Sequence, residues 1–423
     1  MLSKQSRRKI RMSIKGNIII GQSGGPTAVI NSSLAGAIDA AKDAGVKKIY
    51  GMHYGIEGFL NEDIIDLRKH VKNSQDVSLL KRTPSAFLGS CRYKLPKIEG
   101  NEEVYEKIFS ILEKYDIQYF LYYGGNDSMD TVKMLSDYAA AHGKTQRFMG
   151  IPKTIDNDLP VTDHCPGYGS AAKYIATSLK EIIADNDSYG PYRTSAVIVE
   201  IMGRHAGWLT AAAALANNSP DLIYLPEVDF DPDDFVKRVG ELAKEKNSIV
   251  IAVSEGIKLA DGRFVCELSG GSDRLDGFGH KQLSGVGAFL ASLITEKTGV
   301  KARSIEFSTL QRCASHVVSR TDVDEAYNAG YLAAQKAFEG NTGEMITIKV
   351  ESRRPYLVSY DSFDIHQVAN VERKVPLEWI INDGTYVSDE FIEYARPLIM
   401  GQIEPYYSAG VPQHISLSKE GKE

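Results

Sequence analysis

At 423 residues, 43 % hydrophobic and 25 % charged, the chain has the composition of a folded globular protein of two or three domains, not of a disordered or fibrous one. No run approaches the roughly 18 apolar residues of a membrane-spanning helix. The formal charge of −6 gives no global attraction to nucleic acid or to an anionic membrane, so an anionic ligand needs a local gathering of arginine, lysine and backbone N–H groups. Cys91, Cys165, Cys266 and Cys313 are scattered and form no Cys-x-x-Cys pair, which indicates neither a zinc site nor a disulfide framework and fits a reducing cytoplasm. Residues 1–16 read as a basic tail (Lys4, Arg7, Arg8, Lys9, Arg11) without the apolar stretch of a signal peptide.

From residue 17 onward short apolar runs alternate with helical patterns. Asn17–Gly21 predicts a buried strand, then a Gly-rich turn and a small-residue helix over Asn31–Asp43. Ile117–Tyr123 predicts a second strand, again followed by Gly-Gly and a helix reaching Ala140. Strands are expected over Arg147–Ile151, Ala196–Ile201, Leu222–Leu225 and Ser248–Val253, and helices near Ala172–Ala184, Leu209–Ala216 and Pro232–Lys246. The alternation implies right-handed βαβ units and an α/β fold of mostly parallel sheets covered on both faces, with more than one sheet for this length. No tandem repeat or long linker interrupts it.

Five polar or Gly-bearing turns follow those strands, and open α/β sheets bind ligands at the carboxyl ends of their strands. Ser23-Gly24-Gly25-Pro26-Thr27 suits an anion at a helix start, though a plain tight turn fits equally well. Gly124-Gly125-Asn126-Asp127-Ser128 places a carboxylate in a similar cradle; a carboxylate beside a phosphate implies a metal ion between them or the exclusion of something, against a simple helix cap. Lys153-Thr154-Ile155-Asp156-Asn157-Asp158 is the most informative segment. On an extended loop its two aspartates are expected to point the same way, one to accept a proton and the other to orient a metal ion or the first carboxylate, while Lys153 suits phosphate oxygens. A surface Asx-turn is the alternative. Arg204, Arg303 and Arg312 offer bidentate phosphate binding or surface ion pairs, and Glu255 offers hydrogen bonds to sugar hydroxyls or an arginine partner. His205, His280 and His316 lack metal-ligand spacing.

Gly24-Gly25, Gly124 to Ser128, Pro152 to Asp158, Met202-Gly203-Arg204, Pro226-Glu227 and Gln311-Arg312 together resemble the 6-phosphofructokinases in order and nearly in spacing, over roughly residues 17–340. The resemblance implies two Rossmann-like three-layer α/β domains with the active site in the cleft between them. It also implies Mg²⁺-assisted phosphoryl transfer to O1 of fructose 6-phosphate. By this resemblance Asp156 is the base, with Asp158 acting through the metal and Thr154 at the transferring group. Met202, Gly203, Arg204, Glu255 and Arg312 hold the sugar phosphate, and Arg303 reaches it from a neighbouring subunit of a homodimer or homotetramer. Gly24, Gly25, Arg92, Gly125, Asp127 and Lys153 hold the donor, and Asn126, Asp127 and Asp158 are the metal candidates. Asn126 stands where most members have aspartate.

Members that use ATP usually carry glycine at the positions of Asp127 and Lys153. The pair here resembles the pyrophosphate-dependent branch, because bulk and negative charge oppose a nucleotide while an ammonium suits a compact polyanion. Ala35 and Asp39 replace the effector-binding arginines of the allosteric bacterial members, so no nucleotide effector site is expected. The expected division is a donor domain from 17–167 plus about 311–365. A sugar domain would then span 168–310 plus about 366–423, with an insertion at 257–290.

Overall fold

The computed structural model describes residues 14–417 except 191, 218–219, 270–282, 284 and 369–370. The tail before residue 14, His280 and much of the 257–290 insertion therefore lie outside the described residues.

The main strands are β1 (Asn17–Gln22), β2 (Ile49–Met52), β3 (Ile64–Asp66), β4 (Ile117–Gly124), β5 (Arg147–Pro152), β6 (Ser195–Ile201), β7 (Leu222–Tyr224), β8 (Ser248–Ser254), β9 (Lys301–Glu306), β10 (Glu344–Arg353) and β11 (Tyr356–Asp364). One sheet has seven strands in the order β11-β10-β5-β4-β1-β2-β3, and a second has four in the order β7-β8-β6-β9. The second is parallel throughout, and the first is parallel except where β3 and β11 join as antiparallel edges. Continuous apolar runs make the central strands: Ile18, Ile19 and Ile20 are fully buried, as are Val197, Ile198 and Val199, as expected of strands covered on both faces.

The helices overlap their expected spans, the one expected near Ala172–Ala184 being longer at both ends, Tyr168–Asp187, with one exception. Leu209–Ala216 is a short α-helix, Trp208–Ala211, that tightens into a 3₁₀ turn over Ala212–Leu215. The helix Pro232–Glu245 starts as its sequence dictates, with Asp231 accepting from the Asp233 and Asp234 N–H groups at 2.9 and 3.3 Å and proline in its first turn. Such a cap stabilises by about 1 kcal/mol. Helices Ile30–Asp43 and Arg320–Glu339 cross backbone to backbone: a methyl on Gly36 would lie 2.0 Å from the Tyr327 carbonyl oxygen, and one on Gly330 would lie 1.9 Å from that of Ser33. Through this crossing a late helix covers the first sheet.

Late segments also build the rest of both units. The β10–β11 hairpin extends the first sheet beside β5, pairing Glu344 with Met149 and Met345 with Gly150. Val375, Val387, Phe391, Tyr394, Ala395 and Leu398 pack into the core over the second sheet, whereas Ile415 and Leu417 return to the core of the first. The C-terminal extension thus runs over both units.

Candidate active site

The registers align the strand ends. Gln22 pairs with Tyr123, Gly124 with Pro152, and Ile201 with Ser254, so the five Gly- and Asp-bearing loops leave the sheets at equivalent edges. The two edges come close to one another: Asp156, after β5, feels the charges of Arg204 after β6 and of Arg312, and Glu255 after β8 feels Asp156.

On the first unit's side, Lys153 is buried and its ammonium donates to the Gly25 carbonyl at 2.7 Å. A methyl on Gly24 would come within 3.3 Å of that ammonium, and one on Gly25 within 3.2 Å of the Arg312 guanidinium. The turn is therefore open only because it carries no side chains. Burial pushes the Lys153 ammonium down to about 8, against the pull of Asp156 and Asp158, with Arg312 and Arg92 adding to the depression. Arg312, expected at the sugar phosphate, thus stands beside the glycine turn, where its charge also acts on Asp156 and Glu255. Gly125 caps the helix Asn126–Ala141.

The acids are arranged differently from the expected extended loop. Asn157 adopts φ +57°, a left-handed turn between Asp156 and Asp158, and is itself fully buried. The Asp156 N–H donates to Thr154 Oγ1 at 3.0 Å. Burial raises the carboxyl of Asp156, opposed by Lys153, Arg204 and Arg312. Burial, and then the neighbouring Asp156, push Asp158 up to about 7. Asn126 Nδ2 donates to Asp158 Oδ2 at 3.5 Å, while Asn126 Oδ1 and Asp158 Oδ1 are buried without hydrogen-bond partners. Two orphaned oxygens on adjacent side chains fit a hard divalent cation, which takes oxygen ligands. Asp127, the third expected metal candidate, instead has its Oδ1 3.8 Å from the Lys94 ammonium.

On the second unit's side, the Met202 N–H donates to Gln311 Oε1 at 3.3 Å and the Gly203 N–H to Glu255 Oε1 at 3.4 Å. Gly203 has φ +151° and its carbonyl accepts from Gly256 N–H at 3.2 Å and from the Ser254 hydroxyl. A methyl on Gly256 would meet the Arg204 carbonyl oxygen at 2.1 Å, so this pair of loops touches main chain to main chain. Glu255 is pushed up to about 7, first by burial and opposed by the Gly203 N–H. A carboxyl poised there can exchange hydrogen bonds with sugar hydroxyls. Arg303 is the outlier: on the edge strand β9 it pairs with Asp185 at 2.7 Å and Tyr189 at 3.2 Å, outside the cluster formed by its own chain.

Behind the acids lies a buried network that sequence reasoning missed. His164 is held between Asp163 Oδ1 at 3.0 Å and Glu325 Oε2 at 2.6 Å; Tyr356 donates to Glu325 Oε1 at 2.7 Å. Against the depressing effect of burial, the two carboxylates raise its imidazole to about 9. A raised histidine contributes stability that is full below its unfolded value near 6.5 and is lost as pH rises through the folded value. The difference in unfolding midpoint between the wild-type chain and His164→Asn is therefore expected to shrink as pH rises from 6.5 past about 9. A thermal melt series on both proteins reads this, and a pH-independent difference contradicts it.

The chain matches the phosphofructokinase family over residues 17–336 and belongs to that family. It is 41 % identical over 407 residues to the pyrophosphate--fructose 6-phosphate 1-phosphotransferase of Methylococcus capsulatus, covering 95 % of this chain and 96 % of that protein. It is 40 % identical to the enzyme of the same name from Halomonas elongata, covering 96 % and 97 %. Its fold is similar to the crystal structure of pyrophosphate-dependent phosphofructokinase from Nitrosospira multiformis, with a TM-score of 0.85 and 39 % identity, covering 95 % and 96 % of the two chains. Two α/β units with parallel-rich sheets are thus the architecture of this chain and of its family. Among the described residues, no helix is long and apolar enough to cross a membrane.

Proposed function

We propose that this chain catalyses reversible phosphoryl transfer from pyrophosphate to O1 of fructose 6-phosphate, giving fructose 1,6-bisphosphate and phosphate. The single observation that carries the donor choice is the buried Lys153 ammonium lodged against Gly24 and Gly25, with Asp127 at the start of the neighbouring helix. An ammonium in that turn suits a small, highly charged donor and takes the room that a nucleotide would need. The near-full-length relatives named for this reaction support the same reading.

In this reading the first unit, with residues 311–365, holds pyrophosphate through Gly24, Gly25, Arg92, Gly125 and Lys153. The second unit holds the sugar phosphate through Met202, Gly203, Arg204 and Glu255, with Arg312 between them. Arg303 serves the neighbouring active site in a homo-oligomer. Asp156 takes the proton from the sugar 1-hydroxyl while Thr154 and Lys153 steady the group in transit. Asn126 and Asp158 would hold Mg²⁺, which when bound neutralises phosphoryl oxygen charge. Most of the rate then comes from positioning and charge neutralisation, as expected for phosphoryl transfer.

Supplied with fructose 6-phosphate, pyrophosphate and Mg²⁺, the purified chain is expected to form fructose 1,6-bisphosphate with stoichiometric phosphate, and to run backward from those products. Absence of the bisphosphate overturns the reading.

A further inference from the structure

Arg373 sits in the C-terminal extension, far along the chain from the catalytic loop, yet every N–H of its guanidinium ends on or beside that loop. Nε and one Nη2 hydrogen donate to the Asn157 carbonyl at 3.3 and 2.9 Å. Nη1 donates to the Thr162 carbonyl at 3.1 Å and also to the Asp163 carbonyl. The remaining Nη2 hydrogen goes to the Tyr394 hydroxyl at 3.2 Å. Arginine has five donors, and all five are engaged. The Arg373 main-chain N–H adds a bond to the Asp158 carbonyl at 2.7 Å.

The geometry gives this clamp a purpose. Asn157 sits at φ +57°, a conformation that is costly for a side chain with a Cβ and persists only when its surroundings hold it. Its carbonyl takes two bonds from Arg373, its Nδ2 donates to Tyr394 at 2.8 Å, and its Oδ1 accepts from the Cys165 N–H at 2.9 Å. Tyr394 in turn donates to the Asp163 carbonyl at 2.8 Å. The turn that separates Asp156 from Asp158 is thus fixed from outside the loop.

The same residue reaches the other half of the cleft. Its guanidinium lies 4.6 Å from the Trp208 ring centroid, and its carbonyl accepts from the indole N–H at 3.1 Å. Trp208 follows Gly207, whose N–H shares Glu227 Oε1 with the N–H of Val375, at 2.8 and 3.0 Å. Arg373 therefore joins the proton-abstracting loop to the segment just after Met202-Gly203-Arg204.

We propose that Arg373 is a positioning residue for phosphoryl transfer: it sets the spacing of Asp156 and Asp158 through the carbonyls of Asn157, Thr162 and Asp163, and holds that turn in register with the sugar loop. The proposal rests on the reading of Asp156 as the base. Lysine keeps the charge but offers three donors from one nitrogen, not the five-donor planar fork that spans these carbonyls and the Tyr394 hydroxyl. In Arg373→Lys, kcat is expected to fall about 10²-fold, the scale of a 1 Å misplacement. KM for fructose 6-phosphate and for pyrophosphate should stay within about threefold, because no substrate contact is removed.

A folded Arg373→Lys protein with wild-type kcat, or one whose loss lies in KM alone, overturns the proposal. Should Arg373→Lys fail to fold, Tyr394→Phe decides: it removes the hydroxyl shared by Asn157, Arg373 and Asp163, and a lowered kcat at unchanged KM supports the clamp while normal kcat overturns it. Asp156→Asn measured alongside separates the two ideas. Normal turnover there discards the base assignment, whereas its loss together with normal turnover in folded Arg373→Lys discards only the clamp.

Discussion

Replacing Asp156 by asparagine is expected to lower kcat by about 10²- to 10⁴-fold, the contribution of a positioned general base. Binding of fructose 6-phosphate should change little, because the amide preserves shape and the proposed sugar contacts lie on Met202, Gly203, Arg204 and Glu255. The direction follows from the surroundings. Burial raises the Asp156 carboxyl, and Lys153, Arg204 and Arg312 oppose the rise; a raised carboxylate is a stronger base than one in water. Its N–H is anchored to Thr154 Oγ1 at 3.0 Å, so the substitution leaves the loop's main-chain anchor in place. Steady-state rates with both substrates varied check the result, and near-normal kcat contradicts it.

The second large effect concerns the donor. In the double variant Asp127→Gly with Lys153→Gly, kcat/KM for pyrophosphate is expected to fall by about 10- to 10²-fold, the loss of one charge-assisted hydrogen bond to a charged ligand. Activity with ATP should rise at least about tenfold as bulk and like charge leave the donor turn. Lys153 lies against Gly24 and Gly25, so its removal opens space beside the turn, next to the Arg312 guanidinium. The main-chain bond from residue 153 to the Gly124 carbonyl, 3.1 Å, does not depend on the side chain, and the strand end should survive. Unchanged pyrophosphate use in a folded double variant shows that these residues do not set the choice.

The parts of this molecule that were legible in its sequence share a physical cause. Strands β1, β4, β5, β6 and β8 are buried on both faces, which demands unbroken apolar runs. The loops after them carry Gly, Asp and Arg, residue types that let a charged ligand approach the main chain. Both signals are local. The antiparallel edges β3 and β11 lack such runs: β11 alternates half-buried and exposed residues, and its place beside β10 is a tertiary fact.

The site shows the same division. Asp156 and Asp158 were found from their neighbours in the chain, but the left-handed Asn157 between them depends on Tyr394 and Arg373, which lie far along the sequence. Nothing in the run Val371-Glu372-Arg373-Lys374 distinguishes a buried clamp from a solvated charge cluster. His164 was likewise silent, since Glu325 reaches it from a remote helix. The net charge of −6 carried no information about the ligand, because the proposed site draws on a few local cations, Lys153, Arg204 and Arg312, and not on the whole.

Pyrophosphate, not a nucleotide, is the proposed donor. Initial rates with pyrophosphate and with ATP, each varied at saturating fructose 6-phosphate and Mg²⁺, test it most directly. A kcat/KM at least about 10²-fold higher for pyrophosphate is expected, the scale of a few kcal/mol of exclusion. Robust turnover with ATP and none with pyrophosphate would contradict it.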